Sequence, residues 1–506
     1  MTAIDAPPAP VALGGGCDRD HACASGLACL GLPGGYCAST CGEGEPACSA
    51  SCVDTPRDGQ LCLASCRSDA DCRVDEGYFC DAQWRACMIP NTASIVPRVC
   101  PAIPGIARDP AFAPPTALST TGSAQTSPAA IVTGDGGLVA IAVQRTAERD
   151  AIMLARIDAQ GRATLDQALP TTRTHAAEPR LARDARGTLY AVWLAYDVRE
   201  QPEIVLSRST DRGVTWSPPV AVHEPDAAAC TRGALRADCL ARPSVVVGRD
   251  PFAAGRDIVY VTYIAEGLRV RASRDGGKTF GPARIAIAAG AGELAAGTDG
   301  KLYAVGLGGS ALGAFGSADR ALQLAVSSDA GATFTRPQTI SADMEMLPLY
   351  FATPAVALDD RRRTLWVAYV RGGRDAKWQL VIAASKDGGA TWKRTRIGDD
   401  CAIHMVPELA IDPVTGRAHL AWYDSHGPRI AHAVCTPGQC KQLGRINDAP
   451  FAALSTSRRG PAMLGEYFGL VVDATRRTLH AVWVQPITEG ERAPSRPFHA
   501  KAKLVP

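Results

Sequence analysis

Ser209-Thr-Asp211-Arg-Gly213-Val-Thr215-Trp216 recurs three times, as Ser273-Arg-Asp275-Gly-Gly277-Lys-Thr279-Phe280, Ser327-Ser-Asp329-Ala-Gly331-Ala-Thr333-Phe334 and Ser385-Lys-Asp387-Gly-Gly389-Ala-Thr391-Trp392. The copies are spaced 64, 54 and 58 residues apart and share the pattern S-x-D-x-G-x-T-[WF]. Their chemistry is that of a tight turn. A carboxylate accepts from turn amides, glycine takes the positive-φ position, and the closing aromatic packs down on the strands beside it. Asp211, Asp275, Asp329 and Asp387 are therefore read as structural residues rather than as catalysts or metal ligands.

A second repeat surrounds the first. From residue 128 onward an apolar stretch, often opened by Pro, is followed by a D-x-x-G-like turn and an alternating strand that ends on an aromatic. Pro179-Arg-Leu-Ala-Arg-Asp-Ala-Arg-Gly-Thr-Leu-Tyr-Ala-Val-Trp193 is the clearest copy. Seven copies align, beginning near Pro128, Pro179, Pro243, Glu293, Pro354, Pro407 and Phe468. Period-2 alternation bounded by Gly and Asp predicts a hairpin in each, and about 50 residues per copy leaves room for two more strands. The last copy runs out after a third strand near Phe498, so a segment within 97–120 is expected to supply the missing one and close a ring.

These turns are identified as Asp-boxes (BNR repeats), and residues 97–506 resemble the sialidase superfamily of β-propellers. The resemblance implies an all-β fold of four-stranded blades arranged radially, which protects the sheet edges of so β-rich a chain. The copy count favours seven blades, where sialidases have six; six stays open.

The first 96 residues are of another kind. The chain has 18 cysteines, and 13 fall within its first 100 residues. Cys17 to Cys87 form three groups of four that start 24 and then 25 residues apart, a regularity that marks an internal repeat. Modules of about 25 residues cannot bury enough apolar surface to overcome chain entropy, so disulfides are expected to hold residues 17–96 together after a disordered segment 1–16. Four cysteines allow three connectivities, and spacing does not choose among them; first-to-third with second-to-fourth is favoured. The spacings lack paired C-x2-C knuckles, which argues against zinc. The layout resembles short extracellular Cys-rich modules of EGF or Dickkopf type, as in secreted myxobacterial proteins, and that implies a spacer or adhesion role.

The remaining cysteines have places in the ring. Cys435-Thr-Pro-Gly-Gln-Cys440 stands where the sixth copy lacks its Asp turn, so a disulfide is expected to staple that turn. Cys230 and Cys239 are expected to pair within one insertion, and by elimination Cys100 with Cys401. The even total leaves no thiol free for catalysis and requires an oxidising compartment, secreted or cell-surface. The N-terminus lacks the charged and apolar regions of a signal peptide, so a mature or trimmed chain is expected.

Composition excludes other classes. The 53 Lys and Arg nearly cancel the 51 Asp and Glu, leaving a formal +2, which gives no electrostatic grip on nucleic acid. No apolar run is long enough to span a bilayer as a helix. Asn91 and Asn447 lie outside any glycosylation sequon, and Arg far outnumbers Lys, which points to a high-GC bacterium. No zinc-protease, phosphate-loop or nucleophile-elbow motif occurs, and no metal or cofactor is expected.

The sialidase resemblance locates a working face, built from loops entering the innermost strand and leaving the second of each blade. It implies three arginines clamping a sialic-acid carboxylate, a Tyr–Glu nucleophile pair and an Asp acid/base, an exception to the two-carboxylate glycosidase scheme. The family's R-I-P motif is missing, because the first inner strand opens Thr126-Ser127-Pro128. Candidates at matching places are Arg145, Arg371 and Arg429 for the clamp, with Tyr423 and Asp424 beside them. Tyr467 and Glu466 are the candidate nucleophile pair, and Asp150 or Asp197 the acid. The reading is an exported, monomeric propeller that binds a glycan or cell-surface glycoprotein through its central funnel. The alternatives are an exo-α-sialidase with rearranged arginines and an adhesion protein acting through its head.

Overall fold

The computed structural model describes the chain except for residues 1–8, 18–20, 31–34, 42–47, 56–58, 77, 82–84, 89–106, 120–123, 147–148, 198–201, 224–240, 266, 289–291, 309–320, 343–352, 372–378, 399–403, 425–428, 450–467, 488–494 and 505–506. The N-terminal region forms β1 (Ala28–Leu30), β2 (Tyr36–Thr40), β3 (Ser51–Thr55) and β4 (Gly59–Leu63) in a sheet of order β1-β2-β4-β3, and β5 (Phe79–Asp81) with β6 (Ala86–Met88) in a hairpin. Six disulfides pair first with third and second with fourth cysteine in every module: Cys17–Cys29, Cys23–Cys37, Cys41–Cys52, Cys48–Cys62, Cys66–Cys80 and Cys72–Cys87. The crowded sulfurs of Cys17, Cys23 and Cys29 and of Cys66, Cys72 and Cys87 are thus consumed in covalent bonds. The small core they enclose centres on Tyr36 and Tyr78, stacked at 5.2 Å, with the Arg73 guanidinium 4.5 Å from the Tyr78 ring centre.

The body begins with β7 (Thr116–Ala117) and continues in antiparallel sheets. The first holds β8 (Ala124–Val132), β9 (Leu138–Arg145), β10 (Asp150–Ile157) and β11 (Ala163–Ala168). The second holds β12 (His175–Arg183), β13 (Leu189–Tyr196), β14 (Glu203–Ser209) and β15 (Val220–His223). The third holds β16 (Ala241–Arg249), β17 (Asp257–Ile264), β18 (Leu268–Ser273) and β19 (Arg284–Ile287). The fourth holds β20 (Gly292–Ala296), β21 (Leu302–Gly308), β22 (Ala321–Ser327) and β23 (Gln338–Ser341). The fifth holds β24 (Ala355–Asp359), β25 (Thr364–Arg371), β26 (Gln379–Ser385) and β27 (Lys393–Ile397). The sixth holds β28 (His404–Ile411), β29 (Ala418–Asp424), β30 (Arg429–Thr436) and β31 (Gln439–Arg445). The seventh holds β32 (Gly469–Asp473), β33 (Thr478–Pro486) and β34 (Ser495–Lys503), and β7 is its fourth strand.

The inner strands β8, β12, β16, β20, β24, β28 and β32 contact one another in that order, and β32 returns to β8. The seven four-stranded sheets seen among the described residues therefore close into a propeller ring. The core lies between neighbouring sheets rather than in one centre. Trp193 of β13 packs with Ala129 and Ile141 of the first sheet, and Val482 of β33 packs with Ala130 and Leu138 across the closing seam. Second strands such as β13 and β33 are buried on both faces along most of their length because a sheet lies on either side of them.

The four Asp turns join third to fourth strands and share one geometry. In the second sheet Asp211 accepts from the Ser209 hydroxyl at 2.7 Å, the Thr215 amide at 2.9 Å and the Thr215 hydroxyl at 2.6 Å. Gly213, at φ 83°, donates to Ser209 Oγ, and a Cβ there would come within 2.8 Å of Val139 in the preceding sheet. Asp275, Asp329 and Asp387 repeat these contacts. In the sixth sheet Cys435 and Cys440 form the expected disulfide across the β30–β31 turn. Cys100, Cys230, Cys239 and Cys401 lie outside the described residues.

The inner strands depart from the expectation in one respect. Pro128, Pro179, Pro243 and Pro407 do not open their strands but lie inside them, each at a bulge where the register shifts. Proline has no amide to give a ladder, so a bulge is where a strand interior can accept it. The residue before each proline, Ser127, Glu178, Arg242 and Val406, has φ between 49° and 56°. That left-handed conformation is unfavourable for a β-branched side chain such as Val406.

Candidate functional site

Antiparallel alternation puts the starts of first and third strands and the ends of second strands on one face of the ring, opposite the Asp turns. The bulges of β8, β12, β16 and β28 immediately precede one shared register position. One register position of the repeat then lines the axis: Ala129, Arg180, Ser244, Glu293, Ala355, Glu408 and Gly469, opposite Ile141, Val192, Thr262, Val305, Ala368, Ala421 and Val482 respectively. Arg180 crosses the channel. Its guanidinium donates to Glu293 at 2.5 Å and to Glu408 at 2.8 Å, while Ser244 Oγ donates to the other Glu293 oxygen at 2.6 Å. Burial pushes the Glu408 carboxyl above its usual range, and Arg180 opposes that push. Above this layer the Glu178 carboxylate accepts from the Arg242 amide, and Arg242 Nη1 donates to Thr353 Oγ1.

At the rim between the first two sheets the Asp150 carboxylate is held by His175 Nδ1 at 3.2 Å and the Tyr196 hydroxyl at 3.3 Å. The two rings stack at 5.2 Å. Arg173 beside them pairs with Asp197 at 3.4 Å and with Glu203, and the Thr174 hydroxyl and amide hold the Asp197 carboxyl below its ordinary value. All of these side chains are partly open to solvent except Asp150, which is buried.

The other candidates fall at separate places. In the sixth sheet Asp424 is buried and gathers Trp422 Nε1 at 3.3 Å, Arg429 Nη2 at 3.2 Å and His404 Nδ1 at 3.4 Å. The Tyr423 hydroxyl donates to the Val484 carbonyl and accepts the Val484 amide, both at 3.0 Å, which fastens β29 to β33. Burial holds the phenol well above its ordinary pKa, and the hydrogen bond from the Val484 amide opposes that rise. Arg371 stands exposed at the end of β25, and Arg145 ends β9 opposite Asp150. Glu466 and Tyr467 lie outside the described residues.

The axial charges went unnoticed in the sequence although a signal was present. Once the copies are aligned on their second strands, Arg180, Glu293 and Glu408 occupy one column, where apolar or small residues would otherwise fill an axis.

No family model matches the chain, and no curated protein does. Among solved structures, a protein of unknown function from Dyadobacter fermentans is similar over 80% of this chain and 100% of its own, at 13% identity and TM-score 0.48. A Hadza microbial sialidase is similar over 63% of this chain and 66% of its own, at 17% identity and TM-score 0.43. A variant of the NanB sialidase from Streptococcus pneumoniae follows at 11% identity and TM-score 0.44, over 62% and 68%.

Proposed function

We propose that this chain is an exported sialidase-like propeller that binds a glycan or cell-surface glycoprotein at its funnel face without hydrolysing it. The observation that carries the reading is the state of the buried arginines. Arg180 is committed to Glu293 and Glu408, and Arg429 to Asp424, so these two guanidinium groups already face carboxylates of their own chain. A carboxylate clamp needs guanidinium groups whose counter-charge comes from the ligand. Export is supported by the seven disulfides among the described residues. The propeller, residues 97–506, is the recognition unit, and the Cys-rich region 17–96 its spacer.

The second reading, an exo-α-sialidase, is favoured by Asp150, a carboxylate held between a tyrosine and a histidine at the rim. A fluorogenic sialoside assay on the full chain, run beside a glycan array, separates the two. Array binding without turnover is the expected result. Turnover that is lost in Tyr467→Phe would establish the enzyme instead.

A further inference from the structure

The ring is closed by residues 107–118, which run from the sixth sheet to the seventh. The Asp109 amide donates to the Arg445 carbonyl at 2.9 Å, the Ala113 amide to the Lys501 carbonyl at 2.8 Å and the Leu118 amide to the Pro497 carbonyl at 2.8 Å. Among the described residues, only the two sheets under this strap carry paired imidazoles. The third-strand position that holds Leu154, Leu206, Val270, Leu324 and Ile382 in the first five sheets holds His432 and His499 in the last two. The second-strand position that holds Val139, Tyr190, Tyr260, Tyr303 and Trp366 likewise holds His419 and His480. Each pair stacks, with His419 Nδ1 3.2 Å from His432 Nε2 and His480 Nδ1 3.0 Å from His499 Nε2. His432 Nδ1 lies 2.8 Å from the Asp109 carboxylate of the strap, and the Phe112 ring packs edge-on against His432.

We infer that this seam is an acid-operated closure: proton uptake by the stacked histidines releases the strap and parts the sixth and seventh sheets before the rest of the ring yields. The network assigns the protons. One proton lies between the facing nitrogens His419 Nδ1 and His432 Nε2, as between His480 Nδ1 and His499 Nε2. When both rings of a pair are fully protonated, those facing nitrogens become two donors set against each other. The charges facing the rings do not compensate. His419 sees Asp412 and Asp109 but also Arg417 and His432, and Asp412 is itself paired with Arg477. His480 sees Asp473 and Lys501, and His499 sees His480 and Lys501.

Burial accordingly depresses His419 to about 3, His480 to about 4 and His499 to about 3 in the closed ring. Closure is therefore fully favoured above the ordinary histidine value near 6.5 and is lost as pH falls from there toward 4. With three imidazoles taking up protons together, the open population rises roughly a thousandfold per pH unit in that window.

Hydrogen–deuterium exchange on the full chain from pH 7.5 to 4.5, corrected for intrinsic rate, tests this. Peptides covering 107–118, 429–436 and 495–503 should lose protection while β13, β17 and β21 keep theirs. Loss in all sheets together, or a dependence shallower than about tenfold per pH unit, would overturn the closure. The variant His480→Tyr/His499→Leu installs the side chains of Tyr190 and Leu206 and should flatten the pH dependence by about a hundredfold per unit, and an unchanged slope would remove the imidazoles as trigger.

Discussion

Arg180 on β12 and Glu408 on β28 meet at 2.8 Å across the ring axis, although 228 residues separate them. With Glu293 on the far side, one guanidinium ties the second, fourth and sixth sheets, none of which are neighbours. Replacing Arg180 by Met leaves two carboxylates facing each other in a buried channel. A loss of about 3–5 kcal/mol is expected, read from denaturant unfolding. Glu408 is already pushed upward by burial, so in Arg180→Met its stabilising state is the protonated one. Stability of that variant should fall as pH rises above the ordinary carboxylate range. Adding Glu408→Gln should recover part of the loss and remove that dependence.

The Asp turns carry a pH signature of opposite sign. Burial raises the Asp211 carboxyl, but donors from Thr215 and Ser209 outweigh it and hold the group at about 2. Its contribution is present above the ordinary value near 3.8 and disappears as pH falls toward 2. Asp275→Ala, which removes the same contacts in the third sheet, should cost about 1–2 kcal/mol after allowance for solvent screening. Thermal melts at pH 7 and pH 2.5 should show the wild-type-to-variant difference shrinking at the lower pH.

Reduction should act unevenly along the chain. The six bridges of the N-terminal region close loops with sequence separations of 11 to 15 residues, each worth about 3 kcal/mol in chain entropy, around a core of few side chains. Cys435–Cys440 closes a separation of only 5 residues inside a fully built sheet. Under dithiothreitol the N-terminal region should become protease-sensitive while the propeller keeps its far-UV β signal. Cys435→Ser/Cys440→Ser should lower ring stability by no more than about 2 kcal/mol.

Tyr423→Phe tests a single inter-sheet tie. The hydroxyl serves both polar groups of Val484, so its removal leaves a buried amide and carbonyl short of a partner. A loss of about 1–3 kcal/mol is expected in equilibrium unfolding. Glycan binding at the rim beside Asp150 should be unaffected.

Much of the fold is legible in the chain because its signals are local. The turn at Asp211 needs only residues 209–216, and the modular cysteine pairing spans at most 15 residues. The closing strand also follows from counting, since a seventh sheet ending on β34 lacks a partner that β7 supplies. The placement of the prolines was misjudged because a Pro at a strand start and a Pro at a bulge look alike without the partner strand. The candidate site was least legible. Asp424 and Arg429 look like rim residues in the sequence, yet the ring packs them inside against His404 and Trp422.

By itself, then, the sequence determined the repeat, the turn chemistry, the strand pairing within each sheet and the confinement of the N-terminal disulfides to four-cysteine modules. Each of these is a contact between residues close in the chain, where loop-closure entropy is small and residue type decides. Only the tertiary structure decided which charges meet at the axis, which arginines are already paired and which histidines stack beneath the strap. Those contacts join residues as far apart as Asp109 and His432. They exist only once seven sheets share one axis, and no local pattern encodes that distance.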